Sequence, residues 1–133
     1  MDNLNLNELL SKAEKSEEQA RKLLDQETES TSPTARVEIN SLFEAAWQGY
    51  HEVETLARQS LTTTDSVQDY IFLAQSLMNI HIHPNSGFAR NTKELWEAQY
   101  LWLHLYYRTG EQTYFKQAEF CDAIRHAVVE RIE

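Results

Sequence analysis

The chain has few of the residues that interrupt helices, with three glycines and two prolines among 133 residues. Gly49, Gly87 and Gly110 stand far apart, and none lies in a phosphate-binding loop pattern, which argues against the common nucleotide-binding enzymes. The single cysteine, Cys121, cannot form an internal disulfide or supply a cysteine-rich zinc site. This cysteine usage is typical of a protein in a reducing compartment.

Long apolar runs and an excess of basic residues are also missing. The net charge of −9 opposes direct binding to nucleic acid or to anionic membranes, which proteins normally approach through clustered Lys and Arg. The first residues lack the basic start and apolar run of a signal peptide. We therefore expect a cytoplasmic protein that contacts neither nucleic acid nor membrane directly, and whose charged partner would be basic.

What the sequence does contain is helical periodicity along most of its length. Hydrophobic residues make up 41% of the chain, enough for one folded domain over residues 1–133. Apolar positions recur at helical spacing in five segments, which predicts an all-α fold, an antiparallel bundle of four to five helices. The predicted helices cover residues 6–27, 34–60, 66–82, 92–108 and 113–131. The first has only a narrow apolar stripe, so residues 1–30 are predicted to form a loosely attached N-terminal helix.

Candidate catalytic and metal-binding residues are sparse. His81 and His83 form a His-x-His pair, but side chains two apart on a helix point to nearly opposite faces. Neither a His-Glu-x-x-His motif nor a Cys-x-x-Cys pair is present, and residues 71–90 contain no Asp or Glu. Cys121 belongs to an apolar stripe and is interpreted as a core residue. We therefore expect no catalytic residues, no bound metal and no cofactor.

The first candidate interaction surface is acidic. Residues 1–70 contain 14 acidic and six basic side chains. Glu44, Glu52 and Glu54 of the second predicted helix could contact a basic partner and raise its association rate by long-range attraction. The alternative interpretation is an ordinary solvated helix face.

The second candidate surface is aromatic. In the fourth predicted helix, Trp96, Tyr100, Leu103 and Tyr107 cover a different side from the main apolar stripe, and Phe88 lies in the preceding loop. Trp and Tyr are favoured anchors of protein interfaces. The alternative is that this helix is central in the bundle and buried on both sides.

The leading functional hypothesis is a non-catalytic protein-interaction module that acts as an adaptor, an inhibitor or immunity factor, or a chaperone-like subunit. Its partner would be a basic or aromatic-accepting protein, or a second copy in a homodimer. One alternative is a small-ligand or metal-binding domain at the 81–91 loop, with Arg90 holding an anion and His81 and His83 at the rim. Another is a nucleic-acid mimic, whose carboxylates replace phosphates in the groove of a DNA-binding protein.

Overall fold

The computed structural model describes residues 3–27, 32–86 and 93–132, with side chains from residue 6 to residue 127 within these ranges. It contains five α-helices and, among the described residues, no β-strand, which confirms the predicted all-α fold. A short 3-10 turn, Pro84–Ser86, follows the third helix. The helices are α1 (Asn3–Asp25), α2 (Pro33–Leu61), α3 (Val67–Ile82), α4 (Lys93–Thr109) and α5 (Gln112–Ile132).

Local sequence signals account for several helix ends. Helix α2 begins at Pro33, and the Oγ of Ser32 caps it by accepting the backbone N–H of Ala35 at 3.2 Å. Ser66 caps α3 in the same way. Gly110 ends α4 with a φ of 78°, a conformation that glycine adopts without steric cost. Because only two residues separate α4 from α5, these helices form an antiparallel hairpin.

Helix α3 is the central element of the fold. The helices pack in chain order, each against the next, so that α3 lies between α2 and α4. Nine of the 16 residues of α3 are buried, and Asp69 is its only acidic residue. Helix α4 buries one side, and the opposite side is exposed, so the alternative that α4 is buried on both sides is wrong.

Helix α1 packs along α2 with a narrow apolar edge, as its sequence predicts. Leu6, Leu10 and Ala13 join the main core, and Ala20 joins a smaller cluster on α2. How tightly residues 1–30 are held in solution stays a prediction. None of the helices in the described ranges combines the length and the apolar character that crossing a bilayer requires.

Helices α1 and α2 approach each other closely at Gly49. A Cβ atom at this position would lie 2.7 Å from the Cβ of Ala13, too close for two carbon atoms. We therefore expect Gly49→Ala to force the helices apart. Such overpacking costs about 1–3 kcal/mol, against a gain of about 1 kcal/mol in helix propensity. Urea denaturation should show a lower free energy of unfolding than in the wild-type protein.

The matched control for this prediction is Gly49→Ala in an Ala13→Gly background. Removing the Cβ of residue 13 leaves its Cα, 3.6 Å from the new methyl group, which is an ordinary contact. In that background Gly49→Ala should be neutral or stabilising. A single Gly49→Ala variant that is more stable than the wild-type protein would contradict the close approach of the two helices.

Candidate functional site

The candidate site is the solvent-facing side of α4. Trp96, Tyr100 and Tyr107 are 56%, 63% and 79% exposed, whereas Trp102 on the opposite side is only 3% exposed. At about 100° per residue, Trp96, Tyr100, Leu103 and Tyr107 fall within a sector of about 60°. These four residues therefore form one continuous row, which we call the aromatic stripe.

The aromatic stripe, together with Gln99 and His104, lines an open groove of about 450 Å³. The wall is mostly apolar, with the Gln99 amide and the His104 imidazole as its polar groups besides the tyrosine hydroxyls. The Tyr70 ring lies 4.8 Å from the His104 ring. The Nε2 atom of His104 is buried without a hydrogen-bond partner among the described residues. An unsatisfied buried nitrogen of this kind costs about 1–3 kcal/mol.

Helix α5 fixes one end of the aromatic stripe. The guanidinium of Arg125 lies 3.6 Å from the centroid of the Trp96 ring, in a cation–π contact. The same guanidinium donates to Gln99 Oε1 at 3.2 Å and to Asp122 Oδ1 at 2.7 Å. Trp96 is therefore exposed on one ring face only, and its orientation is set before any partner binds.

Glu97, an acidic residue beside the stripe on α4, forms an ion pair with Arg58. Arg58 of α2 donates two hydrogen bonds to its carboxylate, both at 2.7 Å, and also contacts Glu54. These hydrogen bonds hold the pKa of Glu97 below its ordinary value, although partial burial opposes them. Glu97 is therefore ionised at neutral pH and shares the charge of Arg58 with Glu54.

Two further acids near the stripe are paired in the same way. Asp65 lies 3.2 Å from Arg108 at the C-terminal end of α4. Asp122 lies 2.7 Å from Arg125 beside Trp96. Glu97, Asp65 and Asp122 therefore each have an arginine of the same chain beside them.

The structure does not bring the predicted acidic residues together. Glu52 and Glu54 are two apart on α2, so their side chains point about 160° apart around the helix. Glu54 is bonded to Arg58, and Glu44 accepts a hydrogen bond from Gln48 at 2.8 Å. Two of these three carboxylates are therefore engaged within the chain, and the three form no shared cluster.

His83 and His81 are buried inside the fold. The side chain of His83 is fully buried, with Nε2 2.7 Å from the Phe43 carbonyl oxygen and Nδ1 accepting the Asn85 backbone N–H at 3.0 Å. Because the Asn85 N–H is a donor, Nδ1 must be unprotonated, and Nε2–H donates to Phe43. Both ring nitrogens of His83 are therefore occupied. Burial lowers the pKa of His83, although the Phe43 carbonyl works in the opposite direction.

Two predicted site residues, Phe88 and Arg90, lie outside the described residues. Elsewhere, the structure groups no three His, Cys, Asp or Glu side chains closely enough to hold a metal ion in the part of the chain that it describes. Cys121 is buried, as predicted, and burial raises the pKa of its thiol to about 11. The thiol is therefore protonated at neutral pH and unreactive as a nucleophile.

No protein-family model, curated protein or solved structure matches the chain. A functional proposal must therefore come from the geometry of the chain's own residues. Among the predicted surfaces, the aromatic stripe is the one whose members the structure brings together.

The hydrogen bonds of His83 predict a pH dependence of stability. Since its folded-state pKa lies below the ordinary value of about 6.5, the unfolded chain binds the proton more readily. The contribution of His83 to stability is therefore complete above about pH 7 and is lost as the pH falls below about 6.5. The free energy of unfolding should fall by up to about 1.4 kcal/mol per pH unit in this range.

The variant His83→Gln should lack this component of the pH dependence. Nitrogen NMR of the imidazole should show a neutral ring with the proton on Nε2 at pH 7.5 in the wild-type protein. A proton on Nδ1 in the folded protein, or a folded-state pKa above that of the unfolded chain, would contradict the hydrogen-bond arrangement.

Proposed function

We propose that this protein is a non-catalytic interaction module that binds another protein through the aromatic stripe on α4. The observation that carries the proposal is the exposure of three large aromatic side chains in one row, on a helix whose other side already contributes to the core. The proposal covers adaptors, inhibitors, immunity factors and chaperone-like subunits, because all of them act by covering a surface of another protein.

The size of the exposed surface supports this role. A large aromatic side chain offers about 150–250 Å² of surface, so the exposed fractions of Trp96, Tyr100 and Tyr107 correspond to roughly 300–500 Å². Apolar patches of this size on a single chain are often functional. Trp and Tyr are also the side chains that contribute most to binding when a partner excludes water from them.

The fixed orientation of the stripe also supports a binding role. Arg125 holds Trp96 by stacking on its ring, and the Tyr side chains have only two rotatable torsions each. Such side chains lose little conformational entropy when a partner covers them. The exposed aromatic groups therefore favour association more than flexible apolar groups of equal area would.

The proposal predicts that polar substitutions in the stripe remove binding without unfolding the protein. The double variant Tyr100→Ser/Tyr107→Ser should fold normally, because both side chains are mostly exposed. In affinity capture from lysate of the source cells, we expect the wild-type protein to retain a partner identified by mass spectrometry. The double variant should retain at least tenfold less of that partner. The same reduction is expected if the captured partner is an untagged copy of the protein itself.

Phe120→Ser is the matched control for this experiment. Phe120 is exposed to a similar degree, at 51%, but lies outside the groove on α5. The control should capture the same proteins as the wild-type chain. Capture that is equal for the wild-type protein, the stripe variant and the control would contradict a binding role for the stripe.

A further inference from the structure

We propose that the partner covering the aromatic stripe is a second copy of this chain, with the two α4 helices packed antiparallel around a two-fold axis. This inference rests on the proposed function and names the occupant of the same surface. It comes from the order of side chains along α4, from the pairing of the nearby charges and from the area of the stripe.

The groove residues are arranged symmetrically along α4. Trp96 and Tyr107 lie equally far from the midpoint of the groove, which falls between Leu101 and Trp102. Tyr100 and Leu103 form a second such pair. An antiparallel two-fold contact along the stripe therefore places each of these four residues against the other member of its pair on the second copy.

The members of each pair are chemically suited to one another. Trp96 would pack on Tyr107 of the second copy, and Tyr100 on Leu103, so aromatic and aliphatic surfaces meet. Gln99 and His104 lie on opposite flanks of the stripe, about 140° apart around the helix, Gln99 beside Arg125 of α5 and His104 beside Tyr70 of α3. They therefore border this contact and do not meet each other across it.

The charges around the stripe favour a like copy over a basic protein. The neighbouring carboxylates of Glu97, Asp65 and Asp122 are each paired with an arginine of the same chain. A basic partner would therefore find no free acidic group among them. With Glu54, which shares Arg58 with Glu97, these ion pairs contain four carboxylates and three arginines, so a second copy would meet a border of low net charge.

The net charge of −9 still makes two copies repel each other at longer range. Salt screens this repulsion, with a Debye length of about 10 Å at 0.1 M. Self-association through the stripe should therefore strengthen when NaCl is raised from 50 to 300 mM. Binding of a basic partner would weaken over the same range.

The exposed area of the stripe limits the affinity that the dimer can reach. The roughly 300–500 Å² of exposed aromatic surface is about half of the 800 Å² that each partner buries in a standard complex. We therefore expect a reversible dimer with a dissociation constant on the order of 1–100 μM. Such a dimer dissociates on dilution, so both states can be observed in one purified sample.

The first test is analytical ultracentrifugation of the full chain from 1 to 500 μM. The proposal predicts a monomer–dimer equilibrium whose dissociation constant falls at least threefold between 50 and 300 mM NaCl. A monomer at every concentration and both salt concentrations would overturn the second-copy proposal. In that case the capture experiment with Tyr100→Ser/Tyr107→Ser still decides whether the stripe binds another protein.

The second test addresses the antiparallel register with two charged variants. Tyr100→Glu places a carboxylate against Leu103 of the second copy, and Leu103→Lys places an ammonium against Tyr100. Each variant alone should associate at least tenfold more weakly than the wild-type protein. An equimolar mixture should recover dimer, because Glu and Lys face each other once in the mixed dimer. Phe120→Glu, outside the groove, should associate like the wild-type chain.

Circular dichroism and thermal unfolding test whether the variants are folded. Leu103 is partly buried, so Leu103→Lys is the variant at risk of unfolding. If it unfolds, Tyr100→Glu alone tests the dimer. Persistence of the dimer in Tyr100→Glu would overturn the proposal. Failure of two folded variants to recover dimer on mixing would overturn the antiparallel register.

Discussion

Burial of α3 between α2 and α4 is the contact on which the rest of the structure depends. Helix α3 has one acidic residue, Asp69, which is buried and accepts a hydrogen bond from the Ser60 hydroxyl. Most of its other buried residues are apolar, so α3 can be covered from two sides. Each neighbour also packs on a second helix, α2 on α1 and α4 on α5, and only the remaining outer face of each is open to solvent. On α2 the outer face is charged and is largely occupied by ion pairs and hydrogen bonds within the chain. On α4 it carries the aromatic stripe.

The two tryptophans of α4 show how this constraint separates core from surface. Trp102 is buried, donates from Nε1 to the Met78 sulfur and stacks on the Tyr114 ring. Trp96 lies six residues earlier, which places it about 120° from Trp102 around the helix, and it points outward. A helix that contacts α3 and α5 through one side cannot bury both rings. The exposure of Trp96 follows from the same packing that stabilises Trp102.

Periodicity within a single helix was sufficient to predict the five helices and the common side of Trp96, Tyr100 and Tyr107. It was not sufficient to identify the central helix, although the near absence of charge in α3 is a signal for it. The contacts of Arg125 with Trp96 and of Arg58 with Glu97 join different helices. Such contacts depend on the register between packed helices, which no spacing within one helix reveals.

Helix α4 turns one face into the core and leaves the aromatic stripe exposed to solvent. Hydroxyl-radical footprinting read by mass spectrometry tests this arrangement directly, because oxidation of aromatic side chains follows their solvent exposure. In dilute protein, Trp96, Tyr100 and Tyr107 should be oxidised readily while Trp102 stays protected. At high concentration the three stripe residues should become protected as well. If Trp102 is oxidised and Trp96 is protected in dilute protein, the side of α4 that carries Trp96 is the buried one, which would contradict this arrangement.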